Sequence, residues 1–246
     1  MNYSISITTF SLRFEMVEKL VNQIRSFTNV PINICINGEY KKDFIEDYRR
    51  KMLKLCLEYD YILPIFFSEM RGLSKMWNTL ISLSNHDNIL ILNDDIEILS
   101  NDIFQKISDL NCSNLGITKI NNSFSHFLVN RNIINEIGWF DERLIGFGEE
   151  DGDITFRSIE IGYNIDNLNV SGLVNITSDI RQNIKSGIGK YSLFNREFIF
   201  YQKYQKVESD GIVGMFGDPY RKILSDLNAL PYEKLYWENK DKLSND

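Results

Sequence analysis

Two stretches of the chain gather carboxylates where folding alone gains little from them. The first is "GFGEEDGDITFR", Gly146 to Arg157. Extended back to Asp141, it holds six acids: Asp141, Glu142, Glu149, Glu150, Asp151 and Asp153. Crowded like charges raise one another's pKa, which moves a carboxylate toward the range useful to a general base. Acids also favour helix N-termini, and Asp153 with Arg157 has the i,i+4 spacing that supports a helix. Capping accounts for one or two of the six acids and leaves the rest. Gly146 and Gly148 flank Phe147, so the backbone there can approach a ligand closely.

The second stretch is "LNDDIEIL", Leu92 to Leu99. Two aspartates directly after an apolar run cannot serve a core. Placed past a sheet edge, they can hold a divalent cation through oxygen ligands. A turn or helix cap favours the same residue types, and Asn93-Asp94-Asp95 taken alone supports both readings equally. No DxDxDG pattern follows, which excludes an EF-hand.

These residues need elements to position them. "SISITT" (Ser4–Thr9) alternates as a strand does, and Phe14, Val17, Leu20, Val21 and Ile24 follow at helical spacing. "INICIN" (Ile32–Asn37) is a second strand, and a charged helix runs from Lys41 to about Glu58. "YILPIFF" (Tyr61–Phe67) is a third strand, "GLSKMWNTLISL" (Gly72–Leu83) a helix, and "NILILNDD" (Asn88–Asp95) a fourth strand. Its uninterrupted Ile89–Leu92 suits a parallel strand buried on both faces. Such alternation predicts a parallel α/β sheet, in which ligands bind beyond the carboxyl ends of the strands. Further on, a helix is expected over Asp102–Leu110, strands near Leu115–Ile120 and Ser125–Asn130, a short helix at Asn132–Ile137, and a helix over Asp151–Ile161 that Gly162 caps. Two aromatic-rich helices are expected near Tyr191–Tyr204 and Tyr220–Leu227. The polar Ser178–Lys190 before them reads as a loop able to close over a ligand.

Composition narrows the function. The 246 residues carry a formal charge of −7, which opposes a nucleic-acid backbone as partner. A hydrophobic share of 43% excludes global disorder. Three widely spaced cysteines (35, 56 and 112) make neither a disulfide framework nor a zinc site. No signal peptide is legible at the start, and no segment approaches the roughly 20 apolar residues of a membrane span. The expectation is a cytoplasmic protein, peripheral to the membrane at most, with oligomeric state open.

"GWFDERLIGFGEEDGDITFRSIEIGY" (Gly138–Tyr163) resembles the acceptor-side motif of GT-A glycosyltransferases, particularly the family 2 group and the galactosyltransferases. "RGLSKMWNTLI…ILILNDDIEIL" (Arg71–Leu99) resembles the donor-side half, and "ISITTFSLR" the first strand. The similarity covers about Ser4 to Tyr163, with the blocks in the family's order. It implies an α/β fold of the nucleotide-diphospho-sugar transferase type: a mostly parallel Rossmann-like sheet flanked by helices, with a C-terminal helical appendage. Residues 1–206 would form the catalytic domain, 1–100 its donor nucleotide-binding half and 101–206 its acceptor half, with 207–246 a helical extension.

The resemblance also assigns roles. Asp151 takes the place of the catalytic base, and Glu150 would orient the acceptor. Asp95 would hold Mn²⁺ or Mg²⁺. Thr9, Phe10, Arg13, Asn37, Arg71, Gly72, Asn78, Asn93 and Asp94 fall on the donor side; Trp139, Phe147 and Gly148 join Glu150 on the acceptor side. Trp139 and Phe147 also read as packing aromatics. Asn37 stands where the family often has a base-binding Asp. The two histidines, His86 and His126, both precede the acidic motif, whereas many relatives place a metal-binding His after it; Asn175 falls near that place. The implied activity is inverting, hexosyltransferase-type transfer from a nucleotide sugar, UDP-sugar favoured, to a glycan or lipid-linked glycan in surface polysaccharide or glycoconjugate synthesis. The alternatives are a sugar-nucleotide nucleotidyltransferase and a non-catalytic sugar-binding protein of the same fold.

Overall fold

The structure, a computed structural model, describes residues 3–10, 13–38, 45–110, 116–176 and 194–196, and the backbone of three short strands at 204–206, 212–213 and 219–223. The chain forms two compact units. One comprises Met1–Arg71, Thr79–Ile133 and Asp166–Ser178; the other comprises Gly72–Asn78, Ile134–Ile165 and Asp179–Asp246.

The first unit is built on β1 (Tyr3–Phe10), β2 (Ile32–Asn37), β3 (Ile62–Phe66), β4 (Asn88–Asn93), β6 (Ile117–Ile120), β7 (Ser123–Asn130) and β8 (Asp166–Leu168), in the order β3-β2-β1-β4-β7-β6-β8. The first four are mutually parallel where they pair; β7 runs antiparallel to both β4 and β6, and β8 is parallel to β6. The α/β class and the largely parallel sheet are thus as expected. The chain builds outward from β1 through β2 to β3, then returns to place β4 on β1's other side. That reversal is a switch point, and sheets of this kind usually bind ligands beyond the carboxyl ends of the strands flanking it, here β1 and β4.

Packing makes this a rigid platform. α1 (Phe14–Phe27) buries Val17, Leu20, Val21 and Ile24, the stripe its periodicity predicts. α2 (Glu46–Glu58) contributes Tyr48, Met52, Leu55 and Cys56, and α4 (Asp102–Asp109) contributes Ile103, Phe104 and Ile107. Together with Ile5, Ile7, Leu90, Leu92 and Leu128 they form one core. Ile89 and Ile91, on β4's other face, are also fully buried. Each such side chain contributes about 1.5–3 kcal/mol by leaving water.

A small ribbon was not foreseen: β5 (Ile96–Ile98) pairs antiparallel with β9 (Leu173–Asn175). Each strand has three residues, and the partner lies more than seventy positions away, so no local pattern announces the pairing.

In the second unit, α6 (Glu150–Glu160) ends as Gly162 predicts. Gly162 has φ 76°; its N–H donates to Ile159 O, and Tyr163 N–H donates to Ser158 O. Those two bonds make a Schellman cap. α3 (Leu73–Leu83) and α5 (Arg131–Ile137) each begin in one unit and end in the other. Among the described residues no helix is long and apolar enough to cross a membrane.

One expectation is corrected. A helix was expected over Tyr220–Leu227, but β12 (Pro219–Ile223) is a strand, paired antiparallel with β10 (Tyr204–Lys206) and β11 (Ile212–Val213). Tyr220 and Ile223 are strand formers, and Pro219 sits at the first strand position, where a missing N–H is tolerated. The described part of the expected C-terminal helical appendage is therefore strand. Residues 224–246, the expected loop Ser178–Lys190, most of the expected helix Tyr191–Tyr204, residues 39–44 at the start of the expected second helix, and residues 207–211 beside the expected 206/207 boundary lie outside the described residues.

Candidate active site

The carboxyl ends of β1 and β4 carry one polar constellation. Their register sets Thr8 against Asn93, and the Thr8 hydroxyl donates to Asn93 Oδ1 at 2.8 Å. The Thr9 hydroxyl donates to Asp94 Oδ2 at 2.6 Å, and Arg13 Nη1 donates to Asp94 Oδ1 at 2.7 Å. The Asp94 side chain is 2% exposed and that of Arg13 10%, so this is a buried pair, with each partner needed to compensate the other. Burial pushes the Asp94 carboxyl above the ordinary range, while Arg13 and Thr9 pull it back down. Tyr48 OH donates to Phe10 O at 3.1 Å, and the Arg13 guanidinium sits 5.4 Å from the Phe10 ring centre.

Asp95 follows directly. It is buried, and its carbonyl accepts from Ile176 N at 2.7 Å. The β5–β9 ribbon pairs Asn175 with Ile96, one residue from Asp95. The Asp95 charge also acts on buried His126. Burial lowers that imidazole to about 4 against the charge, so the ring is neutral near pH 7, and its Nδ1 has no hydrogen-bond partner among the described residues.

Asn37 fixes backbone in this unit. It accepts from Arg71 N at 2.7 Å and donates to Arg71 O at 2.8 Å. A Cβ on the neighbouring Gly38 would lie 2.6 Å from Glu69 N, so glycine lets the chain before Arg71 run against the end of β2.

The second unit holds the six acids, each with its own partner. Asp141 takes both Nε and Nη2 of Arg143, at 2.8 and 2.6 Å. Glu142 accepts from Asn78 at 3.0 Å and pairs with Lys75 at 3.2 Å. Asn78 also brackets Phe140, donating to its carbonyl at 2.8 Å and accepting from its N–H at 3.1 Å. Glu149 pairs with Arg196 at 3.4 Å. Glu150 turns back to accept from Gly148 N with both oxygens, at 2.8 and 2.7 Å. Asp153 pairs with Arg157 at 2.9 Å, and Arg157 donates in addition to the carbonyls of Ile137, Gly138 and Trp139. Arg157 is thereby both the helix partner read from its spacing and the cap of α5.

Asp151 differs from the other five. They are at most 9% exposed, whereas Asp151 keeps partial exposure at the start of α6. Its Oδ1 accepts from Gly152 N at 2.9 Å, and its carbonyl accepts from the Thr155 hydroxyl at 2.6 Å. Next to it, burial pushes Glu150 up to about 8; the charges of Asp151 and Glu149 add to this, and the Gly148 N–H opposes it.

The loop before α6 is bent to achieve this. Gly146 and Gly148 have φ of 58° and 111°, and Glu149 takes a left-handed φ of 76°, a cost on the order of 1–3 kcal/mol for a non-glycine residue. A Cβ on Gly72 would lie 2.6 Å from Leu144 O, and Leu73 N donates to Gly146 O at 2.7 Å. Gly72 and Asn78, expected on the donor side, thus brace the backbone of 140–146. Phe147, Gly148 and Trp139 remain partly exposed, with Trp139 Nε1 donating to Asn135 at 3.2 Å.

Tyr48, His126, Asn195 and Arg196 belong to these constellations and were not foreseen as site residues. His126 interrupts an otherwise strand-like run, "SFSHFLVN", which marks a buried polar group. For Asn195 and Arg196 no local signal exists, because their partners lie 47–50 residues earlier.

No protein-family model matches the sequence, and no curated protein matches it. Solved structures match by shape. The mannosyltransferase PcManGT from Pyrobaculum calidifontis, in complex with GDP-Man and Mn²⁺, superposes with a TM-score of 0.60 at 10% identity, over 82% of this chain and 65% of its own. Glucosyl-3-phosphoglycerate synthase from Mycobacterium tuberculosis, in complex with Mn²⁺, UDP and glucosyl-3-phosphoglycerate, gives 0.58 at 9% identity, over 95% and 91%. 4-Diphosphocytidyl-2C-methyl-D-erythritol synthase from Anaerococcus prevotii gives 0.50 at 10% identity, over 76% and 96%. The chain thus spans a little under two thirds of the mannosyltransferase and most of the other two. It has the GT-A fold of nucleotide-diphospho-sugar transferases.

Proposed function

We propose that the protein is an inverting glycosyltransferase that moves a sugar from a nucleotide-diphosphate sugar to an acceptor hydroxyl. The observation that carries this reading is the selective exposure of Asp151 among six acids whose other members are all buried. A base must reach water and substrate; a structural carboxylate need not. In the reaction the acceptor oxygen bonds to the anomeric carbon as the bond to the diphosphate breaks. The diphosphate leaves with the electron pair, Asp151 takes the hydroxyl proton, and attack opposite the leaving group inverts the centre. Phe147, Gly148, Trp139 and Glu150 are assigned to the acceptor side. Thr9, Phe10, Arg13, Asn93 and Asp94 are assigned to the donor, with Asn37, Arg71, Gly72 and Asn78 shaping the segment beside it.

A divalent ion fits the donor chemistry. Asp95 offers a hard oxygen ligand of the kind that suits Mg²⁺ and Mn²⁺. Among the described residues no three His, Cys, Asp or Glu side chains are grouped to hold a metal, so diphosphate oxygens and water would complete its coordination. When bound, the ion stabilises the charge developing on the diphosphate. UDP-sugars are the favoured donors and a glycan or lipid-linked glycan the favoured acceptor. A cytoplasmic location, peripheral to the membrane at most, and a role in surface polysaccharide or glycoconjugate synthesis complete the reading.

The second reading, nucleotidyl transfer, rests on the likeness to the diphosphocytidyl-methylerythritol synthase. Against it, "TTFSLRF" after the first strand lacks a basic glycine-rich loop. Incubation with a panel of sugar nucleotides and Mn²⁺, followed by assay for free nucleoside diphosphate, separates the two. Release of nucleoside diphosphate supports sugar transfer; release of pyrophosphate from a nucleoside triphosphate and a sugar phosphate would support the second.

A further inference from the structure

The loop that presents Asp151 is held from a distant part of the chain. Asn195 is fully buried, and its amide makes three bonds to that loop: it accepts from Ile145 N at 2.9 Å and donates to Ile145 O at 2.9 Å and to Gly148 O at 2.8 Å. The next residue, Arg196, places Nη2 3.4 Å from Glu149 Oε1. These contacts straddle the bent part of the backbone, where Gly146, Gly148 and Glu149 all have positive φ. Glu149 is also where α6 begins, since its carbonyl accepts the first helical bond, from Asp153 N at 2.9 Å. Rotation of the Glu149 backbone out of the left-handed region would re-aim the first turn, and Asp151 lies in that turn.

We propose that Asn195 and Arg196 are positioning residues: they clamp the 145–149 loop with Glu149 left-handed and so fix where Asp151 meets the acceptor hydroxyl. This rests on Asp151 being the base. It also gives Glu149 a task, which is to offer Arg196 a buried carboxylate at the strained position. Neither clamp residue needs to touch substrate.

The test uses the full chain with a donor identified by the nucleotide-sugar panel. Arg196 is 36% exposed at its side chain, and Arg196→Gln removes the charge while keeping an amide donor for the buried Glu149 carboxylate, a milder change than truncation. It should lower kcat about tenfold with the donor KM within about twofold, as expected when a positioned group rather than donor binding is disturbed; Arg196→Lys should recover most of the loss. Asn195→Ala should lower kcat further. Amide hydrogen exchange over 145–152, read without substrate, should quicken in Arg196→Gln and Asn195→Ala while β1 and β4 stay protected. A kcat within twofold of wild type in both variants, or unchanged exchange across 145–152, overturns the clamp. The base is tested separately: an active Asp151→Asn sinks the base assignment whatever the clamp variants do, whereas an inactive Asp151→Asn beside unaffected clamp variants sinks the clamp alone.

Discussion

The two acidic stretches solve one problem differently. At the ends of β1 and β4, Asp94 is held by groups that strand register delivers: Thr9 from the paired strand and Arg13 from just beyond it. In the loop before α6, the acids are sorted by contacts from far along the chain: Asn78 and Lys75 to Glu142, Arg196 to Glu149, with Asn195 on the backbone between. A sheet positions its end residues as a by-product of folding. A loop has no such frame and must be held by built contacts, some of them strained. If that distinction is right, damage should separate cleanly: strand-end changes should alter donor and metal affinity, and loop changes should alter turnover.

The largest expected effect is on turnover. Asp151→Asn should lower kcat by about 10²–10⁴-fold, the usual weight of a general base, with donor KM little changed; steady-state kinetics checks this, and a comparable loss in KM would blur the contrast. Next comes stability. Arg157 is 2% exposed and serves Asp153 and three carbonyls. Arg157→Met should cost about 3–5 kcal/mol, because it leaves a buried carboxylate uncompensated; urea denaturation measures it. Asp95→Ala should weaken the Mn²⁺ dependence of donor binding by at least the roughly 10–100-fold that loss of an outer-shell partner costs, read by titrating Mn²⁺ at fixed donor. An unmoved midpoint would take the metal away from the strand end.

The smallest effect sharpens the loop side. Folding raises the Glu150 carboxyl from its ordinary value to about 8. Between those two values the folded state binds the extra proton, so stability is full below pH 4.5 and falls as pH rises through about 8. Glu150→Gln, which keeps an oxygen for Gly148 N, should flatten that slope. Melting temperatures at pH 5, 7 and 9 compare the two proteins, and parallel curves would place the raised pKa elsewhere.

What the sequence made legible follows the same line. Strands β1 to β4, β6 and β7, the helical stripe of α1, the Gly162 cap and the Asp153–Arg157 pair all depend on spacings of two to five residues, and all are found as expected. Asp94 and Asp95 fall past the end of β4 because the run Ile89–Leu92 places them there. The β5–β9 ribbon, the turn of Glu150 toward Gly148 and the reach of Asn195 across 50 residues have no local signature, since each depends on a partner supplied by the finished fold. Pro219 shows the converse: a local pattern that suits both a helix start and a strand start is decided by the strands beside it. The roles of single residues in the acidic loop were therefore harder to read than the loop's presence.

β3 has a consequence for life at high concentration. It is the outermost strand on its side of the sheet and carries Pro64, with Tyr61 and Leu63 well exposed. An outermost strand with greasy flanks invites strands from neighbouring molecules to stack against it, and a proline interrupts the row of donors such stacking requires. Pro64 thus acts as a solubility guard, making the sheet a poor seed for fibrous aggregates even where its surface is apolar.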